Sequence, residues 1–199
     1  MKLFFMLMIF SCINSAVNGQ KNEIYEFKQN KIKVFNSIGL VKSKGLNFTL
    51  KYPFSYSAEE HSNPNIVMQF ADNIRYNLIY NIGVVKAPNG ISENSQKLVL
   101  SKSNLQSSTQ VISNDAVFLN YKNNFRVNNN NASYIDYIST ITNNSKAIIR
   151  QYFIIYKSYL ITISFTIPVF TNGTIEKTKL KFQSFIPFFE KVTNTFRVV

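Results

Sequence analysis

The chain has 199 residues, a formal net charge of +12 at pH 7 and 45% hydrophobic residues, among them 18 phenylalanines. This length suits one domain with a full core, and the apolar content excludes a chain that stays disordered. With one histidine and one cysteine, the sequence lacks the four well-spaced ligands of a zinc site, which excludes a zinc enzyme.

Residues 1–19 have the order of an export signal peptide. Lys2 precedes an apolar run from Leu3 to Phe10, and small and polar residues follow it. This run is much shorter than the roughly 20 apolar residues that span a membrane. We therefore expect a secreted, periplasmic or extracellular protein with no transmembrane segment once the signal is removed.

The processing site has three candidate positions. Cleavage after Gly19 would make Gln20 the first mature residue, and cleavage after Ala16 is the competing site. Cys12 lies in a stretch that loosely resembles a lipoprotein processing box, so a lipid-anchored surface protein is a further alternative. Loss of residues 1–19 removes the cysteine, and the mature protein would then need no disulfide chemistry.

Residues 20–43 are polar with scattered apolar positions, and we expect a tether or loosely packed N-terminal arm there. The folded domain is predicted for residues 44–199. It begins with LNFTLKYP, in which apolar and polar residues alternate as in a half-buried strand that ends at Pro53. NIVMQF and YNLIYNIGVV predict two more strands, and we expect all three to be neighbours in one sheet.

The central part of the chain predicts a helix followed by irregular structure. Apolar and other residues recur at helical spacing from Ile91 to Leu105, with Ser92 as the N-cap residue. The stretch TQVISNDAVFLNYKNNFRV predicts one or two irregular strands around an asparagine-rich turn.

Three apolar segments between Tyr134 and Ile167 predict antiparallel neighbours, because the joints between them are short. The middle segment, AIIRQYFIIY, is apolar on both faces and would be a central strand covered by helices. An aromatic stripe in SFIPFFEKVTNTF predicts a C-terminal helix, with Ser184 as its cap and Pro187 in its first turn. The whole pattern predicts an α+β fold with a central antiparallel sheet flanked by helices, an α-β-α sandwich.

Few residues suit catalysis. His61 lies in a polar loop beside Glu59 and Glu60, where it could serve as the base of a hydrolase of unrecognised type. A histidine beside two glutamates is also ordinary surface composition, and this interpretation is favoured. We therefore predict no catalytic, cofactor or metal residues, and the binding residues stay unassigned.

The ten acidic residues show no recognisable catalytic spacing, and the six glycines form no phosphate-binding loop. Asp136 lies in the middle of a predicted strand and is expected to face solvent. The alternative is an ion pair with Arg150 across the hairpin, for which a structural role is favoured over a functional one.

The charge points to anionic partners. Loss of Lys2 with the signal would leave a net charge of +11, which favours acidic lipids, polysaccharides or acidic protein faces. The basic residues are spread along the chain, however, so an ordinary solvated surface is the favoured interpretation. YKNNFRV mixes basic and aromatic residues, but its aromatic residues occupy expected core positions, and export makes nucleic acid an unexpected partner.

Several motifs together resemble the PsbP-like family of exported domains. Tyr52-Pro53 ends a glycine-led strand, YLITISF follows a hydrophobic strand, and Thr195-Phe196 ends the closing helix, over about residues 44–197. The sequence departs from the family pattern after the Tyr-Pro turn, where a tryptophan or bulky residue often follows, because it has Phe54 and Tyr56 there and no tryptophan anywhere. The resemblance implies a sheet flanked by helices and a role in binding proteins, without a common catalytic site. We accordingly hypothesise a non-catalytic domain that binds a protein or an anionic envelope component.

Overall fold

The computed structural model describes residues 23–72, 78–142, 145–170 and 173–199. These residues form four helices, one 3-10 turn (Val41–Ser43) and ten strands. The helices are α1 (residues 23–28), α2 (Glu93–Val99), α3 (Lys102–Ile112) and α4 (Ile175–Thr193). The strands are β1 (Ile32–Asn36), β2 (Phe48–Pro53), β3 (Tyr56–Glu59), β4 (Ile66–Asp72), β5 (Ile79–Lys86), β6 (Val117–Val127), β7 (Asn130–Thr142), β8 (Ser145–Tyr156), β9 (Tyr159–Pro168) and β10 (Arg197–Val198).

The strands form two antiparallel sheets. The large sheet has seven strands in the order β3-β4-β5-β9-β8-β7-β6, and the small sheet has three in the order β1-β2-β10. Helix α4 packs against β2, β8 and β9, while α3 contacts β6 and β7. The predicted α+β class, a central antiparallel sheet flanked by helices, is confirmed.

Strand β8 is central and covered on both faces, as its sequence predicts. Ile148, Tyr152 and Ile154 belong to the core that contains α4. The intervening residues Ile149 and Phe153 belong to a second core beneath α2 and α3. The period of two along a strand thus divides the interior into two apolar layers, one on each face of the sheet.

Helix α4 is longer than the aromatic stripe alone predicts. It begins after Thr174, whose hydroxyl accepts a hydrogen bond from the Lys177 backbone N–H at 3.2 Å. The expectation that Ser184 caps the helix and that Pro187 lies in its first turn is wrong, since both lie inside the helix. Phenylalanines of α4 pack against the sheet, and this burial maintains the helix although Pro187 supplies no backbone donor.

The expected single helix after Pro88 is two helices. Ser92 caps α2 as predicted, because its hydroxyl accepts a bond from the Ser95 N–H. A second N-cap, Ser101, accepts from the Asn104 N–H and starts α3. Two serine caps in close succession break the helical pattern that would otherwise read as continuous.

The expectation of a tether or loosely packed arm over residues 20–43 is corrected, because the chain is part of the fold from residue 23 onward. Strand β1 pairs antiparallel with β2, and Phe35 is buried in the main core. Within helix α1, Ile24 and Phe27 pack against that core. Residues 1–22, which include the predicted signal peptide and Cys12, lie outside the described residues.

Two other expectations for this part of the chain are corrected. The strand predicted from LNFTLKYP exists as β2, but it pairs with β1 and β10 and not with β4 or β5. The segment predicted as a polar loop between strands contains β3, whose Tyr56 is fully buried. The Tyr56 ring packs at a tilt against the rings of Tyr80 and Phe188, so one buried aromatic residue holds this short edge strand against the core.

Candidate functional site

His61 lies in the turn between β3 and β4. Its Nδ1 accepts a hydrogen bond from the Asn63 backbone N–H at 3.0 Å, and its carbonyl oxygen accepts one from Lys42 Nζ. Lys42 also pairs with Glu60 at 3.8 Å, and Glu59 is exposed at the end of β3. None of these residues lines a cavity of about 170, 390 or 640 Å³ in the described part of the chain, so these cavities give the hydrolase alternative no support.

The structure shows the alternative considered for Asp136, an ion pair with Arg150. The two residues are directly opposite on β7 and β8, and Arg150 donates through Nε and Nη2 to the two carboxylate oxygens at 2.7 and 2.8 Å. The expectation that Asp136 faces solvent is wrong, because its side chain is 5% exposed. It lies on the sheet face that α4 covers, where an unpaired carboxylate would be costly.

Aromatic rings surround the buried guanidinium. The Tyr134 ring centre lies 4.0 Å from the Arg150 guanidinium carbon, and the Phe182 ring centre lies 5.8 Å away. Burial alone would lower the pKa of Arg150, but the hydrogen bonds and charge of Asp136 raise it above its usual value. Burial also raises the pKa of Tyr152, an effect that the nearby Arg150 charge opposes. The arrangement therefore fixes a charged pair and a neutral tyrosine beneath α4.

A cavity of about 170 Å³, the inner cavity, lies between β6, β7, β8 and the C-terminal half of α4. Tyr134 and Tyr152 line this cavity, and the rings of both tyrosines also contact the Arg150 guanidinium. Among the residues that line it are two cations, one acid and two polar residues from the end of α4: Lys122, Arg126, Glu190, Thr193 and Asn194.

A second cavity of about 390 Å³, the outer cavity, lies where the small sheet meets the end of α4. It is lined by polar and basic residues: Thr49, Lys51, Lys191, Asn194, Thr195 and Arg197. The Thr195 hydroxyl accepts a bond from the Lys51 N–H at 3.0 Å, which holds the end of α4 against β2. The Arg197 guanidinium donates to the Asn194 carbonyl at 2.8 Å and so lies over the helix end.

Asn194 lines both the inner and the outer cavity, and each of five exposed cations lines one of the two. We call this set the basic band; it consists of Lys51, Lys122, Arg126, Lys191 and Arg197. Within the described part of the chain, no ion pair engages any of the five, and Glu190 is the one acidic residue that lines either cavity. The carbonyl end of α4 is electronegative and stabilises nearby cations such as Lys191. A concave surface with this charge attracts anions.

Metal ligands are not grouped in the described structure. Across residues 23–72, 78–142, 145–170 and 173–199, no three His, Cys, Asp or Glu residues lie close enough to hold a metal ion. In the same ranges, no helix has the length and apolar character needed to cross a bilayer.

The sequence gives no local signal for the basic band. Its members lie on β2, β6, α4 and β10, at positions from 51 to 197, and look scattered along the chain. The pairing of β10 with β2 and the packing of α4 bring them together. The total charge of +12 was the available hint, and it does not identify a location.

Comparison with solved structures shows a PsbP-like fold. The solution structure of cyanobacterial PsbP (CyanoP) from Synechocystis sp. PCC 6803 is similar with a TM-score of 0.57 and 11% identity, over 85% of this chain and 93% of that chain. Two further structures are less similar. One is a Bacteroides thetaiotaomicron VPI-5482 protein, with a TM-score of 0.42 and 13% identity over 76% of this chain and 45% of that chain. The other is a Pseudomonas aeruginosa protein of unknown function, with a TM-score of 0.42 and 11% identity over 74% of this chain and 88% of that chain. No protein-family model and no curated protein matches the sequence. The resemblance to PsbP-like domains is thus confirmed at the level of the fold.

Proposed function

We propose that this protein is an exported, non-catalytic binding domain of PsbP-like fold, which binds an anionic envelope component or an anionic protein face through the basic band. The observation that carries the proposal is the convergence of five exposed cations, free of described ion pairs, on two neighbouring cavities that are both lined by Asn194.

Helix capping by cations does not account for the whole band. Lys191 lies in the last turn of α4 and Arg197 donates to the carbonyl of the C-cap residue Asn194, so both stabilise the helix end. Lys51 comes from β2, and Lys122 and Arg126 come from β6, the edge strand of the large sheet. These three cations add positive potential without serving the helix, as expected of a surface that binds an anion.

Export is the part of the proposal that rests on sequence. The order of basic, apolar and small residues within 1–19 supports it, and that segment lies outside the described residues. An exported basic domain would meet anionic lipids, acidic polysaccharides and envelope proteins, which makes these the partner classes to test.

The test uses vesicles with and without phosphatidylglycerol and, separately, an envelope fraction. One variant reverses three members of the band (Lys51→Glu, Lys191→Glu, Arg197→Glu). A matched control reverses three exposed lysines elsewhere (Lys28→Glu, Lys146→Glu, Lys177→Glu), so that the net charge is the same. Each cation near an anionic surface contributes about 1 kcal/mol and each new glutamate repels the surface, so the band variant should bind at least about 100-fold more weakly than wild type.

The two variants distinguish a specific surface from bulk charge. The control should retain most of the binding, and added salt should weaken wild-type binding more steeply than binding by the band variant. Binding to vesicles would identify a lipid partner, and retention of a protein from the envelope fraction alone would identify a protein partner. Equal losses in both variants, or no binding to either probe, would refute the proposal.

A further inference from the structure

A groove of about 640 Å³ lies on the sheet face opposite α4, between the helices α2 and α3 and the β6-β7 hairpin. Its volume falls within the roughly 300–1,000 Å³ of ligand pockets. One face of α2 forms a wall, with Glu93, Gln96, Lys97 and Leu100 at helical spacing. The groove is separate from the basic band, which lies at the end of α4.

Hydrogen bonds fix the floor of this groove. The Leu100 carbonyl, at the break between α2 and α3, accepts bonds from the Tyr121 hydroxyl at 2.7 Å and the Ser133 hydroxyl at 3.1 Å. Both donors come from the sheet, so the helix break is held at a defined height above β6 and β7. The Tyr121 ring is half-buried and forms part of the lining. Such a preformed floor favours binding, because the protein loses less conformational entropy when a ligand binds.

A β-bulge presents two asparagines at the opposite wall. Between Lys122 and Phe125, β6 has one residue more than the facing part of β7, and Asn124 takes a left-handed conformation with φ 56°. Asparagine tolerates this conformation well, and a bulge redirects side chains out of the sheet pattern. The side chains of Asn123 and Asn124 line the groove and make no described hydrogen bond. Their amide groups are therefore available to a ligand.

The lining selects the chemical class of ligand. Each amide offers two donors and a carbonyl acceptor, which matches neighbouring hydroxyl groups that both donate and accept. The Asn131 amide and Gln96, which bond to each other at 2.9 Å, add two more amide side chains to the lining. Glu93 and the two lysines of the lining give mixed charge, which disfavours a polyanion, and the tyrosine ring offers a face for sugar C–H groups.

We propose that this groove binds an uncharged oligosaccharide, with the amides of Asn123 and Asn124 on one wall and the α2 face on the other. The proposal does not depend on the basic band, because none of the residues that line the groove belongs to the band. A neutral ligand also predicts binding that is insensitive to salt, in contrast to binding at the band.

The test is a titration of the ¹⁵N-labelled full chain with tetramers of β-1,4-linked glucose and, separately, of β-1,4-linked N-acetylglucosamine, followed by NMR. Saturable shifts are expected for side-chain amide signals of Gln96, Asn123 and Asn131 with at least one tetramer. Shifts with the N-acetylated tetramer alone would show that the acetamido group is recognised; shifts with both would show that ring hydroxyls suffice.

The variant Asn123→Ala, Asn124→Gly removes two amides, while glycine retains the left-handed conformation at position 124. It should bind about tenfold more weakly, as expected for the loss of two hydrogen-bonding groups. The control Asn94→Ala, Gln183→Ala removes two exposed amides outside the groove and should bind like wild type. A dispersed spectrum would verify that each variant folds. The proposal is refuted if neither tetramer causes saturable shifts, if both variants bind equally, or if the binding disappears at high salt.

Discussion

The substitution Asp136→Asn tests the interior ion pair beneath α4. Asparagine has the same shape as aspartate but no charge, so the Arg150 guanidinium would remain buried without a counterion. Both side chains are almost fully buried, and two hydrogen bonds of 2.7 and 2.8 Å join them. Removing one partner of such a pair typically costs about 3–5 kcal/mol of unfolding free energy. For a domain of this size, that corresponds to a fall of roughly 6–20 °C in the melting temperature.

The assay is chemical and thermal unfolding followed by circular dichroism at neutral pH. Lys179→Gln is the matched control, because it breaks a solvent-exposed ion pair in which Lys179 Nζ lies 3.8 Å from Glu176 Oε1. Exposed pairs contribute little, so the control should change the unfolding free energy by less than about 0.5 kcal/mol.

A double variant separates the interaction from the burial of charge. Asp136→Leu with Arg150→Met removes both charges and should recover most of the stability that Asp136→Asn loses, since no unpaired charge remains. If Asp136→Asn costs less than about 1 kcal/mol, water or another group reaches the guanidinium, and the argument from complete burial fails.

Three further predictions concern the acid limit, the core and the polar turn. Hydrogen bonds from Thr140 and Ser113 lower the pKa of Asp115 from 3.8 to about 2, so its stabilising effect is present above pH 3.8 and is lost as the pH falls toward 2. Melting temperatures across this window should therefore fall more in wild type than in Asp115→Asn, and parallel curves would contradict the assignment. Phe189→Ala should cost about 3–5 kcal/mol in denaturant unfolding, because the buried ring stacks on Phe165 at 4.5 Å; Leu180→Ala, at a site 69% exposed, should cost less than about 0.5 kcal/mol. His61→Ala should leave the melting temperature and vesicle binding unchanged; loss of a measurable hydrolytic activity in this variant would support the enzyme alternative instead.

The sequence predicts strand pairing where strand-like apolar patterns are joined by short turns. Strands β7, β8 and β9 are connected by short turns, and the apolar character of AIIRQYFIIY on both faces indicates a central strand. Local sequence does not reveal which sheet a strand joins. Strand β2 alternates cleanly, yet its partners are β1 and β10, at opposite ends of the described chain. That pairing depends on long-range packing around α4, which no short window of sequence encodes.

The start of helix α4 was hard to predict, because neither its apolar stripe nor its potential cap residues mark it. The apolar stripe of α4 is densest near its C-terminal end, which made Ser184 a plausible cap and placed Pro187 in a first turn. The helix begins at the less apolar segment after Thr174, because that residue supplies an oxygen to the free N–H groups. Within the helix, the Ser184 hydroxyl instead donates to the Lys181 carbonyl at 2.6 Å. The presence of a serine that could cap a helix therefore did not show whether that serine lies at the helix terminus or inside the helix.

Strand β6 explains why neither candidate surface could be located from the sequence. In YKNNFRV, strict alternation would place Phe125 on the same face as Tyr121. The extra residue in the bulge returns Phe125 to the α4 face, where it packs against Tyr152, and leaves Asn123 and Asn124 at the groove. Lys122 and Arg126 remain at the inner cavity. One irregularity of the backbone thus moves Phe125 into the core and leaves both amides of this stretch at the groove, although the cations on either side of them line the inner cavity.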